Sequence, residues 1–458
     1  MKIQSAAVYS YERIIASLEA YRLFNPMIRA NLRINPGIVD NQFSTDAVRE
    51  SDIVVFQREF PARRSNYLSL ISTAANLGKP VVMDMDDDLL ALPTHHPDRI
   101  KLNYAKAQIP ILIGMVQSAA LTVTTPYLAD LLRKFNSNIF ILPNYLDDSL
   151  WKFNAPQVEP AGEKIRIFYI GTITHVPDLE MLKPAFRALA MKYPGRLEFM
   201  FYGANLQLEE NIPAVVTNCQ SETFVFSDYV RIALAQKANI AIAPLEDIPY
   251  NHCKSSIKFF EYAAMGLPGV YSRVTPYTSV IEEGVNGFTA ASISEWIDSL
   301  SQLIENPELR EKMALSAQAT VRRDWLLSDH AYLWPETYAR IAELTTPNQA
   351  PIAGYLPILE NIGFHLDDLF QRQEKEKSIF LGRQDSLGRE IQELKAQVDQ
   401  LSVQWLDHTK LIQALETENH LVKEARDAAD LECVHYALSK SWRLTRPLRK
   451  LKKFLLGK

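Results

Sequence analysis

One stretch limits what this chain can fold into: residues 251–269, NHCKSSIKFFEYAAMGLPG, held between two short apolar runs. The first run, ANIAIAPL (238–245), has the pattern of a buried strand, and a second strand, PGVYS, begins at Pro268. The segment between them predicts a helix that stops at Gly266-Leu267-Pro268. It is apolar apart from Lys254, Ser255, Ser256, Lys258 and Glu261. On a helix, Lys254, Lys258 and Glu261 fall at i, i+4 and i+7 and share one face. Charges on a mostly buried helix need partners, so this face is expected to line a cleft. Free N–H groups at the helix start, with Lys254, Ser255 and Ser256, suit a phosphate. Glu261, two turns further in, suits a pair of sugar hydroxyls. Together these describe a nucleotide-sugar diphosphate. The plainer alternative is a Lys258–Glu261 surface pair on an ordinary strand–helix–strand unit.

The rest of the chain repeats this grammar. KIQSAAVYS, DIVVFQR, KPVVMD, AALTVTT and NIFILPN read as strands separated by helical segments such as PARRSNYLSLISTAANLG and PYLADLLRKF. Such alternation implies a parallel sheet covered on both faces by helices. No G-x-G-x-x-G follows the first strand, which argues against a nicotinamide or flavin site. The acidic run Asp84-Met85-Asp86-Asp87-Asp88 follows the third strand, at the edge where open α/β sheets place ligands. It has three readings: a metal site of the DxD kind, acceptor-side cleft lining, or a helix N-cap with solvated acids. His95 and His96 follow; adjacent histidines make a poor metal pair, but one can face the cleft.

WKFNAPQVEPAGE (151–163) is a Pro-containing connector and marks the domain boundary. The second domain opens with KIRIFYIGT, a strand running into Gly171 and Thr172, where a glycine lets backbone N–H groups approach a ligand. His175 lies three residues beyond Thr172, as a cap or as a cleft residue.

The 251–268 stretch resembles the donor-binding segment of GT-B glycosyltransferases close to family 4, in the form N-x-x-K-S-x-x-K-x-x-E-Y followed by G-x-P, with a Gly-rich turn (IEEGVNGF) about twenty residues later. The resemblance covers residues 1–345. It implies two Rossmann-like α/β domains, 1–150 on the acceptor side and 151–345 binding the nucleotide sugar and ending in a crossover helix. It implies Glu261 on the donor ribose, Lys254, Ser255 and Lys258 at the diphosphate or donor sugar, and Gly171 and Thr172 beside the diphosphate. Asn251 belongs to the same donor motif, and His95, Asp86 and Lys258 are the catalytic candidates. The resemblance also implies retention of anomeric configuration. Many relatives carry two glutamates separated by seven residues; the first would fall at 253, which here is Cys253. The expected activity is transfer of a hexose or deoxyhexose from a nucleoside diphosphate to a lipid-linked or growing cell-surface glycan. No metal and no cofactor are expected, since the cations and the helix start can neutralise the leaving diphosphate. Two alternatives stand beside this: a metal-dependent transferase using Asp84, Asp86 and Asp87, or a non-catalytic scaffold of a polysaccharide assembly complex.

Residues 346–379 read as a linker. A heptad seam then runs through Leu387, Ile391, Leu394, Val398, Leu401, Trp405, His408, Ile412, Leu415, Asn419 and Val422, which argues for a coiled coil over 380–430 and a homodimer. The alternative is a single helix folded back on the body. The tail, 431–458, carries Arg443, Arg446, Arg449, Lys450, Lys452 and Lys453 around a Leu448, Leu451, Phe454 and Leu455 stripe, the pattern of a basic amphipathic helix that binds anionic membrane. The net charge of -5 argues against general nucleic-acid binding, and three scattered cysteines form no disulfide or zinc pattern. The N-terminus meets Glu12 and Arg13 too soon for a secretory signal. The expected location is the cytoplasmic face of a bacterial plasma membrane.

Overall fold

The computed structural model describes residues 2–10, 17–156, 164–209, 211–219 and 225–425. The basic tail lies outside the described residues. Contacts divide the chain into a unit of residues 1–367 and a second of 368–458.

The first unit contains two six-stranded sheets. The first is built from β1 (Ser5–Tyr9), β2 (Arg33–Pro36), β3 (Ile53–Gln57), β4 (Val81–Met85), β5 (Ala120–Val123) and β6 (Ile139–Ile141). Its order is β2-β1-β3-β4-β5-β6, and every pairing is parallel. The second uses β7 (Ile165–Ile170), β8 (Leu197–Tyr202), β9 (Val215–Cys219), β10 (Ile240–Ala243), β11 (Gly269–Ser272) and β12 (Phe288–Ala290). Its order is β9-β8-β7-β10-β11-β12, again all parallel. The α/β reading with two Rossmann-like sheets is borne out, and so is a long C-terminal helix.

Alternation along the strands feeds both faces of each sheet. Ala7, Tyr9, Val54, Phe56 and Met83 pack to one side of the first sheet, while Ala6, Val8, Ile53, Val55 and Val82 pack to the other. This is the double burial that parallel strands require. The second of these faces is covered by Leu327, Ala331, Trp334, Tyr338 and Ile341, so the segment after the second domain returns to the first. In the second sheet, Phe168, Ile170, Ala241, Ala243 and Tyr271 meet the helix of the key stretch, and Ile167, Tyr169, Ile240, Ile242 and Val270 face away from it.

That helix is shorter than its apolar run predicts. A turn at Pro249–His252 precedes it, and the helix itself spans Ile257–Ala264. Lys254 therefore sits ahead of the helix and does not continue the Lys258–Glu261 face. Pro249 starts the turn and Ser256 stands at the helix N-cap position. The stop is as predicted: Gly266 has φ +76°, and the Leu267 amide donates to the Tyr262 carbonyl at 2.9 Å, six residues closing one loop. A Cβ on Gly266 would lie 2.8 Å from the Ala155 carbonyl oxygen, so the domain connector also requires glycine there. After Ser292 the chain forms two helices, Ile293–Glu305 and Pro307–Asp324, separated at Asn306, whose side chain caps the second.

A buried cation ties the first domain together. Arg22, fully buried, donates through Nη2 and Nε to the two Asp84 carboxylate oxygens at 2.7 and 3.1 Å. It also donates to the Leu142 carbonyl and to Asn144 Oδ1, and its own carbonyl accepts from Trp334 Nε1 at 3.0 Å. Asp84 further accepts from Thr122 Oγ1 at 2.7 Å.

In the second unit, residues 368–425 continue the helix Leu356–Ala425. The helix starts inside the stretch read as a linker. Leu387, Ile391 and Leu394 are each more than half exposed on it. Among the described residues, no helix is long and apolar enough to cross a membrane.

Arg22→Met would leave Asp84 buried without its cation. Loss of one partner of a buried pair costs about 3–5 kcal/mol, so the urea unfolding midpoint at neutral pH is expected to fall sharply, and a near-unchanged midpoint would contradict the role given to Arg22.

Candidate functional site

The second sheet has the order 3-2-1-4-5-6, and its strand order reverses between β7 and β10, where open α/β sheets leave a crevice at the carboxyl ends. A cleft opens there. From the second domain it is lined by Thr174 and His175 after β7 and by Glu246, Ile248, Tyr250, Asn251 and Lys254 after β10. From the first domain Pro93, His95 and His96, which follow β4, close the opposite wall. Counting the open solvent at its mouth, the space between these walls is about 280 Å³.

Asp178 organises the second-domain wall. Its carboxylate accepts the Glu246 amide at 2.9 Å and Asn251 Nδ2 at 3.2 Å, and it meets His175 Nδ1 at 2.8 Å. Asn251 also donates to the Glu246 carbonyl at 3.0 Å. The loops after β7 and β10 are thereby fixed to each other.

The first domain reaches across at several points. His95 Nε2 lies 2.7 Å from a Glu246 carboxylate oxygen. Lys254 Nζ lies 3.5 Å from Asp87 Oδ2, and the Tyr250 hydroxyl donates to the same oxygen at 3.4 Å. Thr125 Oγ1 donates to the Cys253 carbonyl at 3.0 Å, and Asn144 Nδ2 donates to Ser255 Oγ at 3.0 Å. Burial opposes ionisation of Asp87, yet Lys254, then Arg58 and His175, outweigh it and hold the carboxyl below its usual range. Asp86 goes the other way: burial, reinforced by Asp87 and Asp84, pushes it up to about 6 despite Arg58 at 3.2 Å. His96 is pulled down by burial; it caps the turn Pro97–Ile100 by accepting from the Asp98 amide.

Glu261 lies apart from the cleft, at 2% exposure. It accepts from the Tyr21 hydroxyl at 3.0 Å, the Tyr229 hydroxyl at 2.9 Å and Lys258 Nζ at 2.8 Å. The Lys258–Glu261 pair is thus real but buried on the carboxylate side, and neither the open face nor the solvated surface pair describes it fully. Burial, then the Glu261 charge, drives both tyrosine hydroxyls well above their ordinary range, so they remain donors.

Of the residues expected from sequence to meet the donor, Asn251 and Lys254 line the cleft, as does the candidate His95. Gly171, Thr172, Ser255, Lys258 and Glu261 are not on its lining. Gly171 has a local reason: a Cβ there would lie 2.2 Å from the Tyr169 hydroxyl. Thr172 bonds Thr174 through the hydroxyls at 2.6 Å. Asp84, Asp86 and Asp87 do not converge; each faces its own cation, Arg22, Arg58 and Lys254. Among the described residues no group of three or more His, Cys, Asp or Glu side chains is placed to hold a metal. Cys253, where many relatives have glutamate, is buried, and burial pushes its thiol up to about 12. Sequence reasoning missed Tyr21, Tyr229, Glu246 and Arg58. Arg58 carried a local signal, a basic residue at the end of a strand; the tyrosines and Glu246 carried none.

Comparison with known proteins bears on the family and the fold. Residues 164–306 match the family model described as Glycosyl transferases group 1. No curated protein matches the chain in sequence. Among solved structures, Anabaena HepE in complex with UDP and glucose aligns at TM-score 0.52 and 10% identity, over 74% of this chain and all of that one. Sucrose-phosphate synthase from Thermosynechococcus elongatus aligns at 0.49 and 11%, over 74% and 99%. TarM aligns at 0.45 and 13%, over 62% of this chain, which spans only 54% of TarM.

Asp87 lies against Lys254, so a diphosphate bound at that lysine would have to compete with it. Asp87→Asn is expected to tighten nucleoside-diphosphate binding roughly fivefold, about 1 kcal/mol, measured by calorimetry at low salt. Weaker binding would mean that Asp87 holds Lys254 in place for the ligand instead. The resemblance read at 251–268 is borne out: the chain has the GT-B fold, and its second domain carries the signature of group 1 glycosyltransferases.

Proposed function

We propose that this chain transfers a hexose or deoxyhexose from a nucleoside diphosphate to a lipid-linked or growing cell-surface glycan. The observation that carries the reading is the placement of Lys254 and Asn251 beside the Thr174–His175 loop at the strand-order switch of the second sheet. A cation and a strand-end loop meeting there offer a diphosphate its charge partner and hydrogen bonds. HepE, which shares the fold, was solved with UDP and glucose bound.

The donor is a substrate, and no cofactor takes part. Lys254, Ser255 and the start of Ile257–Ala264 take the diphosphate, with Gly171 and Thr172 alongside. Glu261 takes the ribose hydroxyls, exchanging the Tyr21 bond for them. Since Tyr21 belongs to the first domain, donor entry requires the two domains to part. His95, opposite Lys254, touches the transferred sugar. Asp86 and Lys258 act as positioning residues, one holding Arg58 and the other Glu261. The leaving diphosphate is neutralised by lysines, so transfer needs no metal, and the anomeric configuration is retained. The chain acts at the inner face of a bacterial plasma membrane, held by the basic tail, and self-associates through the heptad seam.

Glu261→Gln keeps the shape and removes the charge. Nucleotide-sugar binding is expected to weaken by roughly 1.5–3 kcal/mol, the scale of a charged hydrogen bond, with the circular dichroism spectrum unchanged. Screening a panel of nucleotide sugars for binding and hydrolysis identifies the donor, and activity is expected to survive EDTA. Unaltered affinity in a folded variant would remove Glu261 from the site; loss with EDTA and rescue by manganese would restore the metal reading.

Removing residues 439–458 is expected to release the protein from anionic liposomes while transfer to a short soluble acceptor persists. Undiminished flotation of the truncated chain would place the anchor elsewhere.

A further inference from the structure

The indole N–H of Trp151 has no hydrogen-bond partner among the described residues, although the side chain, at the start of the domain connector, is fully buried. A buried donor left unpaired is costly, so its presence calls for a reason. Its surroundings supply one. The ring meets Tyr229 edge-on, with centroids 6.1 Å apart. The N–H lies beside the Tyr21 hydroxyl: burial, then the Glu261 charge, drives that phenol up, and Trp151 opposes the rise without completing a hydrogen bond.

The Glu261 carboxylate in the same cluster is served unequally. Its Oε2 accepts from Lys258 and Tyr229, both of the second domain, at 2.8 and 2.9 Å. Among the described residues its Oε1 accepts only from Tyr21, of the first domain, at 3.0 Å. Once Tyr21 withdraws, the second domain and the connector present one bare acceptor, Glu261 Oε1, and one bare donor, Trp151 Nε1. A hydroxyl in the place of the Tyr21 O–H satisfies both, because it donates its proton to the carboxylate and accepts from the indole through a lone pair. A group that only donates, or only accepts, leaves one of them unpaired.

We propose that Trp151 is a specificity residue for the sugar donor: its N–H bonds the ribose hydroxyl that Glu261 holds, and the two together select ribonucleotides over deoxyribonucleotides. The inference rests on the placement of the ribose at Glu261 proposed above. A site built to bond a hydroxyl rejects the analogue that lacks it, since its own buried groups are then left without partners.

The test is calorimetry on the full-length chain with UDP, CDP, ADP and GDP and the 2′,3′-dideoxy form of each. The wild-type chain is expected to bind at least one ribonucleotide about tenfold or more tighter than its dideoxy form. Trp151→Phe keeps an aromatic ring and removes the N–H. It is expected to weaken that ribonucleotide roughly three- to tenfold, the worth of one neutral hydrogen bond, and to leave the dideoxy affinity unchanged. Replacing Trp151 by β-(3-benzothienyl)alanine, which keeps the bicyclic shape with sulfur in place of the N–H, repeats the measurement without opening a cavity. Equal losses for the two nucleotide forms mean that Trp151 only packs, and overturn the proposal, as does no loss at all. Glu261→Gln separates the underlying reading. Ribose discrimination that is lost in Glu261→Gln but kept in both Trp151 variants overturns the inference alone. A wild-type chain that binds both forms equally, or binds no nucleotide, overturns the ribose placement and the inference together.

Discussion

Much of the first domain hangs on one buried guanidinium. Arg22 joins the end of β4 through Asp84, the end of β6 through Leu142, the following residue Asn144, and the returning helix through Trp334. Taking a cation and a carboxylate out of water is costly, and only a well-made pair with its remaining protons and lone pairs satisfied offsets that cost. Here Thr122 completes Asp84, and the Leu142 carbonyl and Asn144 take Arg22's remaining donors. The consequence reaches the second domain, because Asn144, held by Arg22, itself donates to Ser255. A structural cation thus sets the position of a first-domain residue on the donor-binding stretch.

The same pattern recurs across the domain interface. Tyr21 holds Glu261, Asp87 holds Lys254, Asn144 holds Ser255 and His95 holds Glu246. Four groups that a nucleotide sugar would use or pass are each bonded to a side chain of the first domain. These contacts are polar and individually modest, so a ligand that supplies equivalent hydrogen bonds and charge can replace them one for one.

The cleft draws only on the first unit, while the exposed seam lies wholly in the second. A long helix with an apolar stripe on one side is incomplete alone, because tertiary packing, more than propensity, stabilises amphipathic helices.

Short apolar strand runs, helical crossovers and the Gly266-Leu267-Pro268 stop determined from sequence alone that the chain folds as two parallel α/β sheets, since these are local patterns with one geometric solution. The 251–268 motif likewise carried the family. The sequence could not show that Lys254 stands ahead of the helix, because the helix start depends on the Pro249–His252 turn packing beneath it. Nor could it separate the three readings of Asp84, Asp86 and Asp87. That choice rests on Arg22, Arg58 and Lys254, which lie 62, 28 and 167 residues away along the chain and come close only once the first domain folds and meets the second. Local periodicity decides which elements form; the partners of buried charges are decided by which distant elements share a wall.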